Sequence, residues 1–430
     1  MNGITSHLGW LLLGFTFSSA ACNALLGDFE LEPATEGEPA ITDGPTTSTT
    51  SAGGQGGASG GNATVAGPGG GDGTGGAAGG PEGGELPCAS DCQAGFADCG
   101  VCDGVCDTFL LGQDDGNCGE CGKTCETGAC NAGSCGPVLV ADNQLGPVSL
   151  ASDGTFLYWV NQGSLVDATG SIVKRPIALD GPAQTLIGNQ GAPSRLALDR
   201  GFLYWTRRNP PSVALMRMGL DGSGILSLSG GTSLVGLALD GEALYWTDQY
   251  ANKVRRMASP GTQGSSLDFV SSQSGAYGVA VDATHVYWVS QGNRTVMRAT
   301  KASKIPTMIW TGTTGVDLRS IAVDDKYVYW TTEPDRNASG APLRGAIMRY
   351  HLSSATIEPL GESPAPRDIF VDGERVYWSD SSDFGIFWVH RDENSASQHR
   401  IPATGPTLTV TTDATRIYWS TERAIYKMVK

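Results

Sequence analysis

The sequence is poor in the features that announce an enzyme. Only 17% of its 430 residues are charged, and its five histidines (His7, His285, His351, His390, His399) are scattered. It contains no His-Glu-x-x-His, no Gly-x-Ser-x-Gly, no phosphate-binding loop and no dinucleotide fingerprint. The enzyme classes that these motifs define are excluded, but a site drawn from single residues far apart in sequence is not. Basic residues are also scarce: 28 Lys and Arg face 44 Asp and Glu, a net charge of -16. Nucleic acids and anionic lipids need basic patches to release counterions, so a general affinity for either is not expected. Long apolar runs are missing too. Leu8 to Phe17 is the best of them, and it is too short to span a bilayer.

That run has the length of a signal h-region. Small residues follow it, Ser18-Ser19-Ala20-Ala21, and then Cys22. The segment resembles the lipobox of bacterial lipoproteins, although Ser19 stands where that family prefers leucine and His7 replaces the usual lysine or arginine. The resemblance implies that residues 1–21 are a signal peptide and that Cys22 is lipidated as the new N-terminus. An ordinary cleavage site with a stray cysteine is the alternative. The expected address is that of an exported lipoprotein of a Gram-negative bacterium, at the outer membrane, on the cell surface or in the periplasm. Acyl chains on one cysteine would hold it to the membrane without spanning it.

Residues 23–86 hold almost nothing that could form a core; from Thr46 they are mostly Gly, Ser, Thr and Ala. That is the composition of a flexible tether, with a span of about 35 Å for ~40 residues. Residues 87–136 then carry ten cysteines: Cys88, Cys92, Cys99, Cys102, Cys106, Cys118, Cys121, Cys125, Cys130 and Cys135. An even, clustered set in an exported chain predicts five disulfides in place of a hydrophobic core. Zinc held by Cys99, Cys102, Cys118 and Cys121 is the competing reading. The second half of the segment resembles the stigma-specific-protein type of cysteine repeat.

What the sequence has in abundance is self-similarity. Tyr-Trp occurs seven times, at Tyr158, Tyr204, Tyr245, Tyr287, Tyr329, Tyr377 and Tyr418, with steps of 46, 41, 42, 42, 48 and 41 residues. Five residues before each tyrosine stands an aspartate: Asp153, Asp199, Asp240, Asp282, Asp324, Asp372 and Asp413. An aliphatic residue always precedes the tyrosine. Each unit reads as a short strand, an Asp turn, a strand bearing Tyr-Trp, a third strand with a basic residue, and a weaker fourth strand. Four antiparallel strands per ~42 residues match a propeller blade. Residues 137–430 are therefore expected to form an all-β, seven-bladed β-propeller, with six or eight blades as poorer fits. The last unit lacks a fourth strand, which Pro137 to Ala141 can supply.

Leu244-Tyr245-Trp246-Thr247-Asp248 and Tyr377-Trp378-Ser379-Asp380 carry the resemblance to the YWTD/NHL-like propellers. Those propellers mostly bind proteins or sugars on one face, which implies a binding role. Most units here lack the final aspartate, and the best-known YWTD propellers have six blades, so the fold carries over better than any binding mode. The dipeptides are expected to fill the wedges between blades, and the aspartates to make turns.

Specificity is expected on the loops between second and third strands, opposite the aspartate turns, with Arg207, Arg208, Tyr250, Asp335 and Arg336 as ligand-binding candidates. No catalytic residue, cofactor or metal site is assigned. The expected function is that of a membrane-tethered binding protein whose partner is a protein or a glycan. The alternative is an exported lyase or hydrolase, with or without a divalent metal, whose site lies on the propeller axis. Cys22→Ala is expected to move the protein from the membrane to the soluble fraction, with loss of the acyl mass from the mature N-terminus by mass spectrometry.

Overall fold

The computed structural model describes residues 134–430 apart from 165–166, 179–180, 209–212, 260–262 and 336–343, together with 96–97, 108–109, 118, 124–125 and 130–131 before them. The signal, the tether, Cys22, Cys88, Cys92, Cys99, Cys102, Cys106, Cys121 and Arg336 lie outside the described residues. Seven four-stranded antiparallel sheets stand in a ring; six run outward in chain order, and the seventh takes its outermost strand from the start of the domain. Their innermost strands are Pro147–Ser152, Pro193–Asp199, Leu234–Leu239, Ala276–Val281, Val316–Val323, Pro366–Val371 and Thr407–Thr412. Each touches the next, and the last touches the first, so the ring closes. Closure uses both chain ends: Val138–Ala141 is the outermost strand of the seventh blade, paired with Ile425–Val429. The seven-bladed expectation holds.

The Tyr-Trp dipeptide lies on the second strand of every blade. Neighbouring residues of a strand point to opposite faces, so tyrosine and tryptophan enter different interfaces. Each of the seven blade-to-blade cores accordingly combines a tyrosine with the tryptophan of the following blade. Tyr158 packs with Trp205, Tyr204 with Trp246 and Tyr245 with Trp288. Tyr287 packs with Trp330, Tyr329 with Trp378, Tyr377 with Trp419, and Tyr418 with Trp159 across the closure. All fourteen rings are buried.

Polar groups stitch the same interfaces at two radii. Near the axis, the hydroxyl that follows tryptophan donates to the next inner strand, as from Thr247 Oγ1 to Tyr277 O and from Ser420 Oγ to Pro147 O (2.6 Å). Farther out, the third strand places a cation opposite tyrosine in six blades, for example Lys174, Arg349 and Lys427. Lys174 Nζ donates to Leu220 O (2.9 Å) and Lys427 Nζ to Ile177 O (3.0 Å), each just past the third strand of the following blade. The Arg349 guanidinium donates to Arg391 O in the same position.

Six of the seven aspartates tie their turns by accepting backbone N–H groups, while Asp199 accepts from Ser259 Oγ. Asp282 Oδ1 accepts from the N–H groups of Thr284 and His285. Their second oxygen explains the fixed five-residue spacing. Oδ2 accepts the tyrosine hydroxyl in four blades: Asp153 from Tyr158 (2.9 Å), Asp282 from Tyr287 (2.7 Å), Asp324 from Tyr329 (2.9 Å) and Asp413 from Tyr418 (2.6 Å). The indole N–H has its own periodic acceptor fifteen residues upstream: Gln144 for Trp159, Gln190 for Trp205, Gln273 for Trp288 and Ser363 for Trp378. Gly231, Gly315 and Thr404 stand there in the other three units. The indole nitrogens of Trp246, Trp330 and Trp419 lack a partner in those blades.

Beside the closing blade, Cys118 is bridged to Cys130 and Cys125 to Cys135. The four sulfurs cluster against Val429 of the seventh blade. Cys118 is therefore unavailable as a zinc ligand.

Gln273→Ala should orphan the Trp288 indole and cost about 1–3 kcal/mol, read by chemical denaturation. Gly231→Ala, where Trp246 is already unpartnered, removes no indole acceptor, so any cost there must come from crowding Leu234 and Asp248. The Asp–Tyr pairs also set a pH window. Burial pushes the Asp282 and Asp413 carboxyls up, but the tyrosine hydroxyls and backbone N–H groups outweigh it and hold both below the usual carboxylate range. Burial, reinforced by the aspartates, raises the phenols of Tyr158, Tyr287 and Tyr329; Tyr377 is pushed up to about 12. The carboxylates stabilise the fold above about pH 4, an effect lost as pH falls through their depressed values. The phenols stabilise it below about pH 10, an effect lost as pH rises toward their elevated ones. Fluorescence-monitored unfolding across pH should show a plateau between those limits, with the ionisation of these phenols coincident with unfolding on the alkaline side.

Candidate functional site

Every inner strand carries a β-bulge near its start, where the register against the second strand skips. A bulge re-aims the side chains it contains, and inner strands border the axis. In the first, third and seventh blades the bulge holds Val148, Val235-Gly236 and Leu408. In the second it holds Arg195, in the fourth Tyr277, in the fifth Arg319 and Ser320, and in the sixth Arg367 and Asp368. All lie at the end of the ring opposite the aspartate turns.

These side chains meet across the axis. Arg195 Nη1 donates to Asp368 Oδ1 at 3.0 Å although the second and sixth blades are not neighbours, so the pair spans the central channel. Asp368 is buried and locked from both sides: Ser320 Oγ donates to Oδ1 (2.9 Å) and Thr409 Oγ1 to Oδ2 (2.6 Å). Arg319 forms an ion pair with Glu333 of its own blade. Arg208, just past the second strand of the second blade, and Arg367 have no side-chain partner among the described residues.

The electrostatics follow from that inventory. Burial would push the Tyr277 phenol up, but the guanidiniums of Arg208, Arg319, Arg195 and Arg367 together outweigh it and draw it below the ordinary tyrosine value. Burial lowers Arg367 and neighbouring Arg319 lowers it further; Glu333, Tyr277 and Asp368 oppose the shift without cancelling it, so this cation is held at a cost. Burial raises the Asp317 carboxyl; Arg319 opposes the shift, while Asp335 and Glu333 add to it. Arginine stays charged at any physiological pH. The mouth is thus a concentration of positive charge around one phenol, with a patch of carboxylates on the fifth-blade side. Such a site can hold an anionic group, or stabilise one that develops.

Of the residues singled out from sequence, Arg208 belongs to this cluster and Asp335 lies beside it. Arg207, next in the chain, has a buried Nε without a partner. Tyr250 is 72% exposed on its own turn and is not among the groups that act on Tyr277. Sequence reasoning missed Arg195, Tyr277, Arg319, Arg367 and Asp368. The signal was there in alignment by the dipeptide. Eleven residues before each tryptophan stand Val148, Ser194, Val235, Tyr277, Arg319, Arg367 and Leu408; ten before stand Ser149, Arg195, Gly236, Gly278, Ser320, Asp368 and Thr409. These two columns change chemistry from blade to blade between columns that do not.

No protein-family model matches the chain, and no curated protein does. Solved structures do resemble it. Virginiamycin B lyase from Staphylococcus aureus superposes with a TM-score of 0.55 at 14% identity, covering 68% of this chain and 98% of that one. Hydrazine synthase from Kuenenia stuttgartiensis gives 0.54 at 13% identity, covering 68% and 97%. The extracellular domain of a one-component system from B. thetaiotaomicron gives 0.51 at 12%, covering 67% and 39%. At such identities the likeness shows the propeller fold alone.

Asp368→Ala should cost about 3 kcal/mol, because it strands Arg195 and two hydroxyls. Arg367→Gln removes a half-buried cation that has no hydrogen-bonded side-chain partner among the described residues and that burial and Arg319 disfavour, so thermal melting should be unchanged or raised. A large loss of stability in the glutamine variant would mean that the Arg367 charge has a stabilising partner after all.

Proposed function

We propose that the chain is an exported, membrane-tethered binding protein that offers the axial mouth of its propeller to a protein or glycan ligand. The observation that carries this reading is the pair of unpartnered guanidiniums, Arg208 and Arg367, gathered with Tyr277. Folding gains little from a half-buried cation whose desolvation and neighbouring Arg319 outweigh the attraction of Glu333 and Asp368, so a residue such as Arg367 is best explained by something that binds there. The address rests on the sequence: the apolar run before Cys22, the flexible tether and the cysteine-rich segment would display the propeller away from a membrane surface.

The test is a screen of the full-length Cys22→Ala protein against arrays of glycans and bacterial surface proteins, repeated with Arg208→Ala and Arg367→Ala. Ligands lost in both variants support the reading, and a screen whose every hit ignores both substitutions overturns it.

A second reading, a lyase or hydrolase working at the axis, is favoured by one observation. A phenol drawn down by guanidiniums ionises more readily, and its phenolate can accept a proton from a substrate. Virginiamycin B lyase shares the fold at an identity too low to carry its activity here. Recovery of the bound ligand separates the two: an unaltered ligand supports binding, whereas conversion that stops with Tyr277→Phe supports the enzyme. Conversion that stops with a chelator would add a divalent metal.

A further inference from the structure

Resting on the binding reading above, we infer that the axial mouth takes a compact polyhydroxylated ligand bearing a single carboxylate, of the size and chemistry of a sugar acid. Three features point to it. The first is the number of free cations. Asp368 compensates Arg195 and Glu333 compensates Arg319, which leaves Arg208 and Arg367 without partners among the described residues. The planar guanidinium matches a carboxylate through two parallel N–H···O bonds.

The second is the placement of acids. Asp317 lies with Glu333 and Asp335 beside the arginines, all on the fifth blade or its following loop. Together those carboxylates would repel a second negative charge on the ligand, and Asp317 can accept hydrogen bonds from hydroxyls. Cationic donors beside carboxylate acceptors are the complement of a molecule with one acid group and several hydroxyls. The third is the field of the whole protein. A net charge of -16 repels an extended polyanion, and a local cluster attracts only within a Debye length, about 8–10 Å. A small ligand stays inside that distance, and a polyuronate chain or an acidic protein does not.

Tyr277 supplies a readout. It faces Arg195 and Arg208 from the second blade, Arg319 from the fifth and Arg367 from the sixth, with Asp368 and Glu333 holding two of those four. A bound carboxylate would cancel part of the field that favours the phenolate. Saturating ligand should therefore shift the Tyr277 ionisation to higher pH. Affinity should fall correspondingly as pH rises through the phenol's ionisation, where the phenolate competes for the same guanidiniums.

The experiment titrates galacturonate, galactose, inorganic phosphate, hexagalacturonate and poly-glutamate into the full-length Cys22→Ala protein by calorimetry. The first expected result is that galacturonate binds. Galactose should bind at least tenfold more weakly, as loss of one charge-assisted bond worth about 1.5–3 kcal/mol requires. Arg367→Ala should weaken galacturonate by a similar factor with an unchanged melting curve. Ultraviolet titration of the phenolate should show one early-ionising tyrosine that galacturonate delays and that Tyr277→Phe removes. Equal affinity for galactose or phosphate, preference for hexagalacturonate or poly-glutamate, or indifference to Arg367→Ala would each overturn the inference. Array ligands that need Arg208 and Arg367 but carry no carboxylate would sink it while leaving the broader binding reading intact. An array without mouth-dependent hits would sink both.

Discussion

The whole ring depends on putting two large aromatic residues side by side on a strand whose side chains alternate. Tyrosine must face one way and tryptophan the other, so a blade cannot satisfy its own dipeptide. It lends the tyrosine to the interface ahead and the tryptophan to the interface behind. Seven lendings close only if the seventh reaches the first, which is what Tyr418 and Trp159 do. A burial rule acting on two residues thus imposes cyclic order on the domain.

The polar groups serve this arrangement and are not independent of it. An aspartate ties the turn in six blades and, in four, also restrains the phenol ring that crosses to the next blade. The hydroxyl after tryptophan lies on the same strand face as the tyrosine, and it therefore reaches the same neighbour. With the wedges fixed by these columns, the bulge residues at the axis are relieved of structural duty. Three blades fill that position with aliphatic or glycine residues, and the others carry the arginines, Tyr277 and Asp368. The rigid periodic part and the variable chemical part are separate columns of one repeat.

That separation explains what was legible in the sequence. Residues that do the same thing seven times reveal themselves by repetition. The Asp, Tyr and Trp columns gave the blade, the number of blades and the closing strand. The axial cluster was legible only at its rim, through Arg208 and Asp335. The axial residues were not, because their columns change from blade to blade and their partners are far away in sequence, as when Arg195 meets Asp368 across the axis. The Gln acceptors of the indoles were hidden for a related reason. Four units have an acceptor and three do not, so the column looks unremarkable until the tryptophans are seen to be buried.

The closing blade has a mechanical meaning. The chain enters the propeller at Val138–Ala141, one short strand held to its neighbour by three register pairs: Ile425 with Ala141, Tyr426 with Leu139 and Lys427 with Val138. A pull along the chain from the N-terminal side would load those few bonds before any other blade felt the force. The crosslinked cysteines that rest on Val429 sit where such a load would enter. The latch of the circle is then also its fuse, and a tug hard enough to draw out that strand would open the seam at Trp159 first.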